Sequence, residues 1–220
     1  MNEYRSVDYS NIRQQDETNK VLRNTYMLLA MTLAFSAAIA GASAVLMLPP
    51  PGIILTLVGF YGLLFAVEKT KNSSTGLVFV FLLTGFMGYT LGPIIDLLLK
   101  TGGTGILMTA LGGTALTFFA LSAYVLTTRK DMSFLGGMMT AGFVVLVVAM
   151  IANLFLHMPV LNLVLSGLFI LFSSGAILMQ TSAIIHGGER NYISATVTIF
   201  VSLYNIFLSL LNILMASSRN

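Results

Sequence analysis

The sequence contains no cysteine and no tryptophan, and charged residues make up only 9% of its 220 residues. The absence of cysteine excludes a disulfide framework, a thiolate metal site and a cysteine nucleophile. The scarcity of charge excludes a water-soluble globular fold, because an ordinary soluble domain carries about 25% charged residues. Intrinsic disorder is excluded as well, since disordered chains combine low hydrophobicity with high charge.

Long apolar runs take the place of the missing charge. Hydrophobic residues make up 56% of the chain, and the mean hydropathy is +0.90. A transmembrane helix needs about 20 mostly apolar residues, and seven segments of this kind are separated by short polar joints. They span residues 27–48, 53–67, 76–99, 104–127, 133–156, 160–185 and 192–216.

These runs predict helices rather than the strands of an outer-membrane barrel. Barrel strands alternate in hydrophobicity over about 10 residues, and the apolar runs here do not alternate. We therefore predict an all-α integral membrane protein with seven transmembrane helices. Residues 1–26, called the leader below, lie outside the seven-helix transmembrane domain of residues 27–216.

The distribution of basic residues predicts the orientation in the membrane. Nine of the eleven Lys and Arg residues lie in the leader or next to the second, fourth and sixth joints. Because Lys and Arg are enriched in cytoplasmic loops, we expect a cytoplasmic N-terminus and a C-terminus on the outer side of the membrane. Their dispersal in short loops argues against a nucleic-acid partner and for a lipid bilayer.

Small residues predict where helices approach each other closely, as is typical of helix pairs in lipid. The first helix carries Ser36, Ala40 and Ala44 on one face, the third carries Gly88 and Gly92, and the fifth carries Gly137 with Ala141.

Polar residues form a stripe along one face of the seventh helix, at alternating spacings of three and four. The sixth helix carries a matching stripe at spacings of seven. We call the two stripes together the polar seam, and expect them to face each other or a shared cavity. The seam serves either as hydrogen-bonding contact between the helices or as a polar path. Its members are Ser166, Ser173, Gln180, Thr198, Ser202, Asn205, Ser209 and Asn212.

The sequence predicts neither an enzyme nor a cofactor. His157 and His186 are its only histidines, and the helix between them holds them roughly 43 Å apart at about 1.5 Å per residue. They cannot share a metal ion. The HExxH, G-x-S-x-G and P-loop patterns are all absent from the chain.

Asp96 is the one acid within a predicted span. It is either an interfacial carboxylate in contact with water or an acid at the mouth of a cation path.

Several stretches resemble the transmembrane Bax inhibitor motif family. They lie in the approach to the first helix and in the third, fourth, sixth and seventh helices. The stretches are KVLRNTY at 20–26, GFMGYTLGP at 85–93, SAY at 122–124, RKD at 129–131, SGAILMQTS at 174–182 and YNIFLSLL at 204–211.

The resemblance implies six helices around a central seventh helix, residence in the bacterial inner membrane, and a partner. That partner is the membrane-anchored protease FtsH with its associated regulators, for which bacterial members are both inhibitors and slowly degraded substrates. The leader is the part that the protease would grip. Its four basic residues, Arg5, Arg13, Lys20 and Arg23, are balanced by four acidic ones, a composition that predicts a flexible handle.

Other members of this family act as pH-sensitive calcium leaks with two facing aspartates in helices 6 and 7. Gln180 and Ser202 stand at those positions in this sequence. Neither side chain titrates as a carboxylate pair does. The resemblance therefore favours an FtsH modulator over the alternative of a calcium or proton leak channel, and it makes a calcium ligand doubtful.

Overall fold

The computed structural model describes the backbone of residues 2–218 and the side chains of residues 15–218. Within these residues the regular structure consists of seven α-helices, and all seven are long and apolar enough to cross a membrane. The prediction of an all-helical, seven-span membrane protein is confirmed. The helices are α1 (Asn2–Val45), α2 (Ile53–Thr70), α3 (Ser74–Lys100), α4 (Thr104–Thr128), α5 (Leu135–Leu156), α6 (Pro159–Ile185) and α7 (Tyr192–Ser217).

The largest difference from the sequence prediction lies at the start of the chain. Helix α1 begins at Asn2, so the leader is helical and continuous with the first span rather than a flexible segment ending at Tyr26. The first glycine of the chain is Gly41 and the first proline is Pro49. Because no residue before Gly41 breaks a helix, the polar leader continues the helix that the apolar span forms.

Helix α7 contacts five of the other six helices, all except α5. Its most apolar stretch is 44% buried, whereas the corresponding stretches of α2 and α5 are only 6% buried. Helices α1, α3, α4 and α6 pack around α7, while α5 packs against α6 and α2 packs mainly against α3. Large apolar side chains on α2 and α5 therefore face outward, as lipid-exposed helices require.

Helices α1 and α3 approach each other most closely where α3 carries glycine. A side chain at Gly88 would collide with the backbone carbonyl oxygen of Ser36, and one at Gly92 would collide with the hydroxyl of Ser43. The hydroxyl of Ser43 also donates a hydrogen bond of 3.2 Å to the carbonyl oxygen of Tyr89. The predicted contact faces of α1 and α3 are thus confirmed.

The prediction for α5 is wrong. Gly137 and Ala141 are exposed, and nothing lies within 4 Å of a side chain placed at Gly137. Helix α5 instead packs on α6 through the next face, where the sulfur of Met139 lies against Gly175 and Leu146 is buried. The α5–α6 contact is thus made by a large side chain of α5 that packs onto a glycine of α6. Small residues on α5 do not reveal a contact of this kind.

We predict that Gly88→Ala destabilises the bundle by about 1–3 kcal/mol, the usual range for overpacking. The added methyl group meets backbone rather than a mobile side chain, so α1 and α3 have to separate. Thermal unfolding followed by circular dichroism in detergent micelles measures the effect.

Gly112→Ala is the matched control, because Gly112 lies within α4 and has nothing within 4 Å of an added side chain. Its melting temperature should stay the same or rise, since alanine is favoured over glycine in a helix. Equal melting temperatures for the two variants would contradict the close α1–α3 contact.

Candidate functional site

Few residues of the polar seam form hydrogen bonds with one another. Among the described residues one bond crosses between the two stripes: Asn212 Nδ2 donates to Ser166 Oγ at 3.5 Å. The hydroxyls of Thr198 and Ser202 each donate to the carbonyl oxygen four residues earlier in α7. The expected ladder between α6 and α7 is therefore reduced to a single long bond, because a helical serine or threonine satisfies its hydroxyl on its own helix.

The two positions that correspond to the aspartates of the calcium leaks differ from each other in their surroundings. Ser202 is buried and bonded within α7. The side-chain nitrogen of Gln180 is buried in α6 and has no hydrogen-bond partner among the described residues, and the same holds for the hydroxyl of Ser173. Asn205 and Ser209 form no side-chain hydrogen bond within the part of the chain that is described. Buried polar atoms of this kind are commonly satisfied by water.

Asp96 is paired with its own helix. Its carboxylate lies 2.7 Å from the ammonium group of Lys100, one turn further along α3. The pair lies near the end of α3, where the sequence predicted either an interfacial carboxylate or an acid at the mouth of a cation path. Across residues 15–218, no group of three or more His, Asp and Glu side chains is arranged to hold a metal ion.

The end of the bundle that carries the leader and the joints 71–73, 129–134 and 186–191 is called the leader side below. The joint between α4 and α5 is fixed there to the end of α6. Ser182 Oγ accepts a hydrogen bond of 3.0 Å from the backbone N–H of Met132 and donates one of 3.3 Å to the carbonyl oxygen of Lys130.

His186 fixes the same joint from the end of α6. Its Nε2 lies 3.1 Å from the carbonyl oxygen of Arg129, and its Nδ1 lies 2.9 Å from that of Ser182. Asp131 lies close by, and hydrogen bonds from Ser133, with a smaller contribution from His186, lower the pKa of Asp131. Because this pKa is lowered, the hydrogen bonds stabilise the joint while the carboxylate is ionised. That stabilisation is lost as the pH falls through the lowered pKa.

Asn191 links the other two joints of the leader side. Its side-chain oxygen accepts hydrogen bonds from the N–H groups of Ile193 and Ser194 at 2.9 and 3.1 Å, which caps α7. Its side-chain nitrogen donates to the carbonyl oxygen of Lys71 at 3.0 Å and to Asn72 Oδ1 at 2.8 Å. One residue therefore begins the most buried helix and holds the α2–α3 joint against it.

From residue 15 onward, the leader presents its charged side chains to the surroundings. Lys20 and Arg23 are exposed, as are Asp16 and Glu17. Arg5 and Arg13 lie outside the residues whose side chains are described. Thr25, at the end of the leader, and Leu28, at the start of the first span, are buried, and the carbonyl oxygen of Thr25 accepts a hydrogen bond of 3.2 Å from Thr196 Oγ1 on α7.

Sequence reasoning missed the roles of Ser182, His186 and Asn191. The predicted spans leave residues 186–191 as a joint but do not show what that joint contacts. Asn191 carries the one usable signal, since asparagine just before an apolar run is typical of a helix N-cap. Its bonds to the α2–α3 joint depend on residues about 120 positions away.

Comparison with known proteins gives one family match. The family model described as "Inhibitor of apoptosis-promoting Bax1" matches residues 18–220. "Modulator of FtsH protease YccA" of Escherichia coli K12 is 64% identical over 203 residues, which are 92% of this chain and 93% of that protein. The protein from E. coli O6:H1, with the same identity and coverage, is named "Inner membrane protein YccA".

More distant relatives extend over the same length. An uncharacterized protein of Pseudomonas aeruginosa is 57% identical over 93% of this chain and 92% of its own. An uncharacterized membrane protein of Vibrio cholerae is 40% identical over 96% of each chain.

We predict that Asn191→Ala destabilises the protein by about 1–2 kcal/mol, because the N-cap of α7 is lost. Asn191→Asp should retain most of that stability, since a carboxylate still caps the helix, but it cannot donate to the α2–α3 joint. Hydrogen exchange of residues 71–76 should therefore rise in both variants, while the melting temperature falls mainly in the alanine variant. Unchanged exchange in Asn191→Asp would contradict the link between the two joints.

Proposed function

This chain belongs to the Bax inhibitor family, and we propose that it is an inner-membrane regulator of an FtsH-type protease that presents its leader to that protease. The identity to the E. coli modulator of FtsH protease supports this function. In the proposed orientation the leader side faces the cytoplasm and the C-terminus faces the periplasm. Associated regulators of the protease are proposed as further partners. The protein would act by binding rather than by catalysis.

The observation that carries the proposal is the continuity between the leader and the buried part of α1. A protease that pulls on the leader pulls directly on α1, because residues 15–45 form one uninterrupted helix. Nothing between the two parts, such as a proline or a flexible joint, dissipates the force.

The contacts of α1 oppose its extraction. Gly88 and Gly92 let the backbone of α3 lie directly against Ser36 and Ser43. On the other side, α7 donates the Thr196 hydrogen bond to the carbonyl oxygen of Thr25. Removing α1 therefore breaks its contacts with both α3 and α7. Slow extraction of a gripped substrate would keep the protease occupied, which explains how one protein is both inhibitor and slow substrate.

We predict that deleting residues 1–18 abolishes both degradation by FtsH and inhibition of it, because the protease loses the handle. Pulse-chase decay and co-purification with FtsH measure the two effects. Deletion of residues 218–220, at the opposite terminus, is the control and should leave both unchanged. Unaltered turnover of the leader-deleted protein would overturn the proposal.

Gly88→Ala separates gripping from extraction. This variant keeps the leader but loosens α1 from α3, so its half-life should shorten and its inhibition should weaken. Gly112→Ala should behave as the unaltered protein does. If Gly88→Ala binds FtsH and decays at the unaltered rate, close packing of α1 is not what slows the protease.

An ion leak is the second candidate, and the unpartnered polar atoms of Gln180 and Ser173 favour it. Two observations oppose it: the Asp96 carboxylate is paired with Lys100, and no carboxylate stands at position 180 or 202. A pH-gated leak of the kind that the family's aspartates provide needs groups that exchange a proton.

We predict that vesicles containing the unaltered protein show no pH-dependent calcium flux, and that the double variant Gln180→Asp with Ser202→Asp gains one. Flux is measured with a calcium dye inside the vesicles between pH 5 and 8. Single variants are the controls and should stay inactive, because one carboxylate cannot share a proton with another. A pH-dependent flux through the unaltered protein, blocked by Ser202→Leu, would instead establish the leak.

A further inference from the structure

A cavity of about 620 Å³ opens on the leader side between α1 and the ends of α4 and α6. Its volume lies within the range typical of small-molecule sites, about 300–1,000 Å³. Among residues 15–218, the polar residues of its lining are Gln15, Thr18, Asn19, Arg129 and His186, and the aliphatic ones include Leu22 and Leu126.

One wall of the cavity is a face of the leader. Gln15, Thr18 and Asn19 recur at helical spacings of three and four, so they lie next to one another on α1. Two carboxamides and a hydroxyl supply five N–H and O–H hydrogens to the cavity. The acids Asp16 and Glu17 lie between them in the sequence but are absent from the lining.

The opposite wall carries the positive charge. The guanidinium group of Arg129 forms no hydrogen bond or ion pair with any residue from 15 to 218. The backbone of Arg129 is nevertheless fixed: it adopts a φ of 49°, its N–H bonds to the carbonyl oxygen of Val125, and its own carbonyl oxygen lies 3.1 Å from His186 Nε2. The Arg129 guanidinium therefore extends from a fixed backbone and is not bonded to any carboxylate of residues 15–218.

No acid of the described lining competes for this arginine. The nearest carboxylate in sequence, that of Asp131, accepts a hydrogen bond of 2.8 Å from the N–H of Ser133. An uncharged ligand would leave Arg129 without a counter-charge, and a cation would be repelled by it. An oxyanion that accepts two parallel N–H bonds from the guanidinium satisfies the site.

The position of the cavity narrows the choice among oxyanions. Its aliphatic residues Leu22, Leu126 and Ile185 lie where the apolar parts of α1, α4 and α6 end, which is the depth of lipid headgroups. Basic pockets between helices at this depth bind phosphate-bearing headgroups. We propose that the cavity binds a phosphate group through Arg129, with Gln15, Thr18 and Asn19 as neutral donors. The group belongs to an anionic phospholipid or to a soluble phosphate.

Such a phosphate would join the leader to α4 and α6, since its partners lie on both walls. Bound phosphate should then slow hydrogen exchange of residues 15–22. The inference that bound phosphate also restrains the leader as a handle for a protease rests on the proposed function. The inference that phosphate binds does not, because binding is measured on the purified protein alone.

Arg129→Gln tests the proposal, with Arg190→Gln as the control, because Arg190 lies on the leader side but not in the cavity lining. The first probe is inorganic phosphate, titrated at constant ionic strength with chloride as the reference anion and followed by melting temperature. The second is phosphatidylglycerol retained from mixed nanodiscs, counted by native mass spectrometry. Arg129→Gln should weaken phosphate binding about tenfold or release one retained lipid, as loss of a charge-assisted pair implies.

Asn19→Asp gives a second test that does not depend on the fold of the α4–α5 joint. Asn19 is exposed on the leader, and a carboxylate there should abolish binding by repulsion. Binding of inorganic phosphate identifies a soluble ligand, whereas retention of phosphatidylglycerol alone identifies a lipid, and either result supports the site. Equal responses of Arg129→Gln, Asn19→Asp and Arg190→Gln, or equal shifts with chloride, would overturn it.

Discussion

In a bilayer two helices gain nothing from hiding apolar surface, since lipid tails are as apolar as leucine. Their contact depends instead on dispersion forces, which require short distances between many atoms. Gly88 and Gly92 provide those distances in this protein, because they let α3 touch the backbone and hydroxyl groups of α1. The position of α1, and with it that of the leader, depends on this contact.

The same contact connects the fold to the proposed function. The leader can inhibit the protease only if the transmembrane helices behind it resist extraction. They resist only if the pulling force reaches a helix that is closely packed in the bundle. Here the handle and the packed element are parts of one helix, α1. A hinge between them would let the protease take the leader without loading the bundle. The absence of proline and glycine before Gly41 is therefore as important to this function as the glycines of α3.

Much of the fold follows from the sequence, because a membrane span is recorded in local hydropathy. The ends of α2 to α7 differ from the predicted spans by at most three residues. The start of α1 was missed, since a polar segment can continue a helix that it would not form alone.

The residues of the polar seam were identified as a stripe, but their hydrogen bonds were not predicted. Ser202 donates its hydroxyl to the carbonyl oxygen of Thr198 on the same helix, and residue type does not distinguish that bond from one between helices. Asn191 and His186 form hydrogen bonds to joints that are distant in the sequence, and residue spacing does not predict such bonds.

The unpartnered polar atoms are distributed unevenly along the membrane normal. Among the described residues, five of the seven lie in the parts of α1, α4 and α6 next to the leader side: those of Thr25, Tyr26, Ser122, Gln180 and Thr181. Ser173 lies in the middle of α6, and Asn153 lies at the far end of α5. Tyr26, Ser122 and Thr181 each stand four residues deeper than Leu22, Leu126 and Ile185 of the cavity lining, and so share their helix faces. Unpaired buried polar atoms are costly unless water reaches them. The cavity that Arg129 lines is therefore the opening from which water would reach these atoms. The one hydrogen bond across the polar seam, between Asn212 and Ser166, lies in the far halves of α7 and α6, away from that opening.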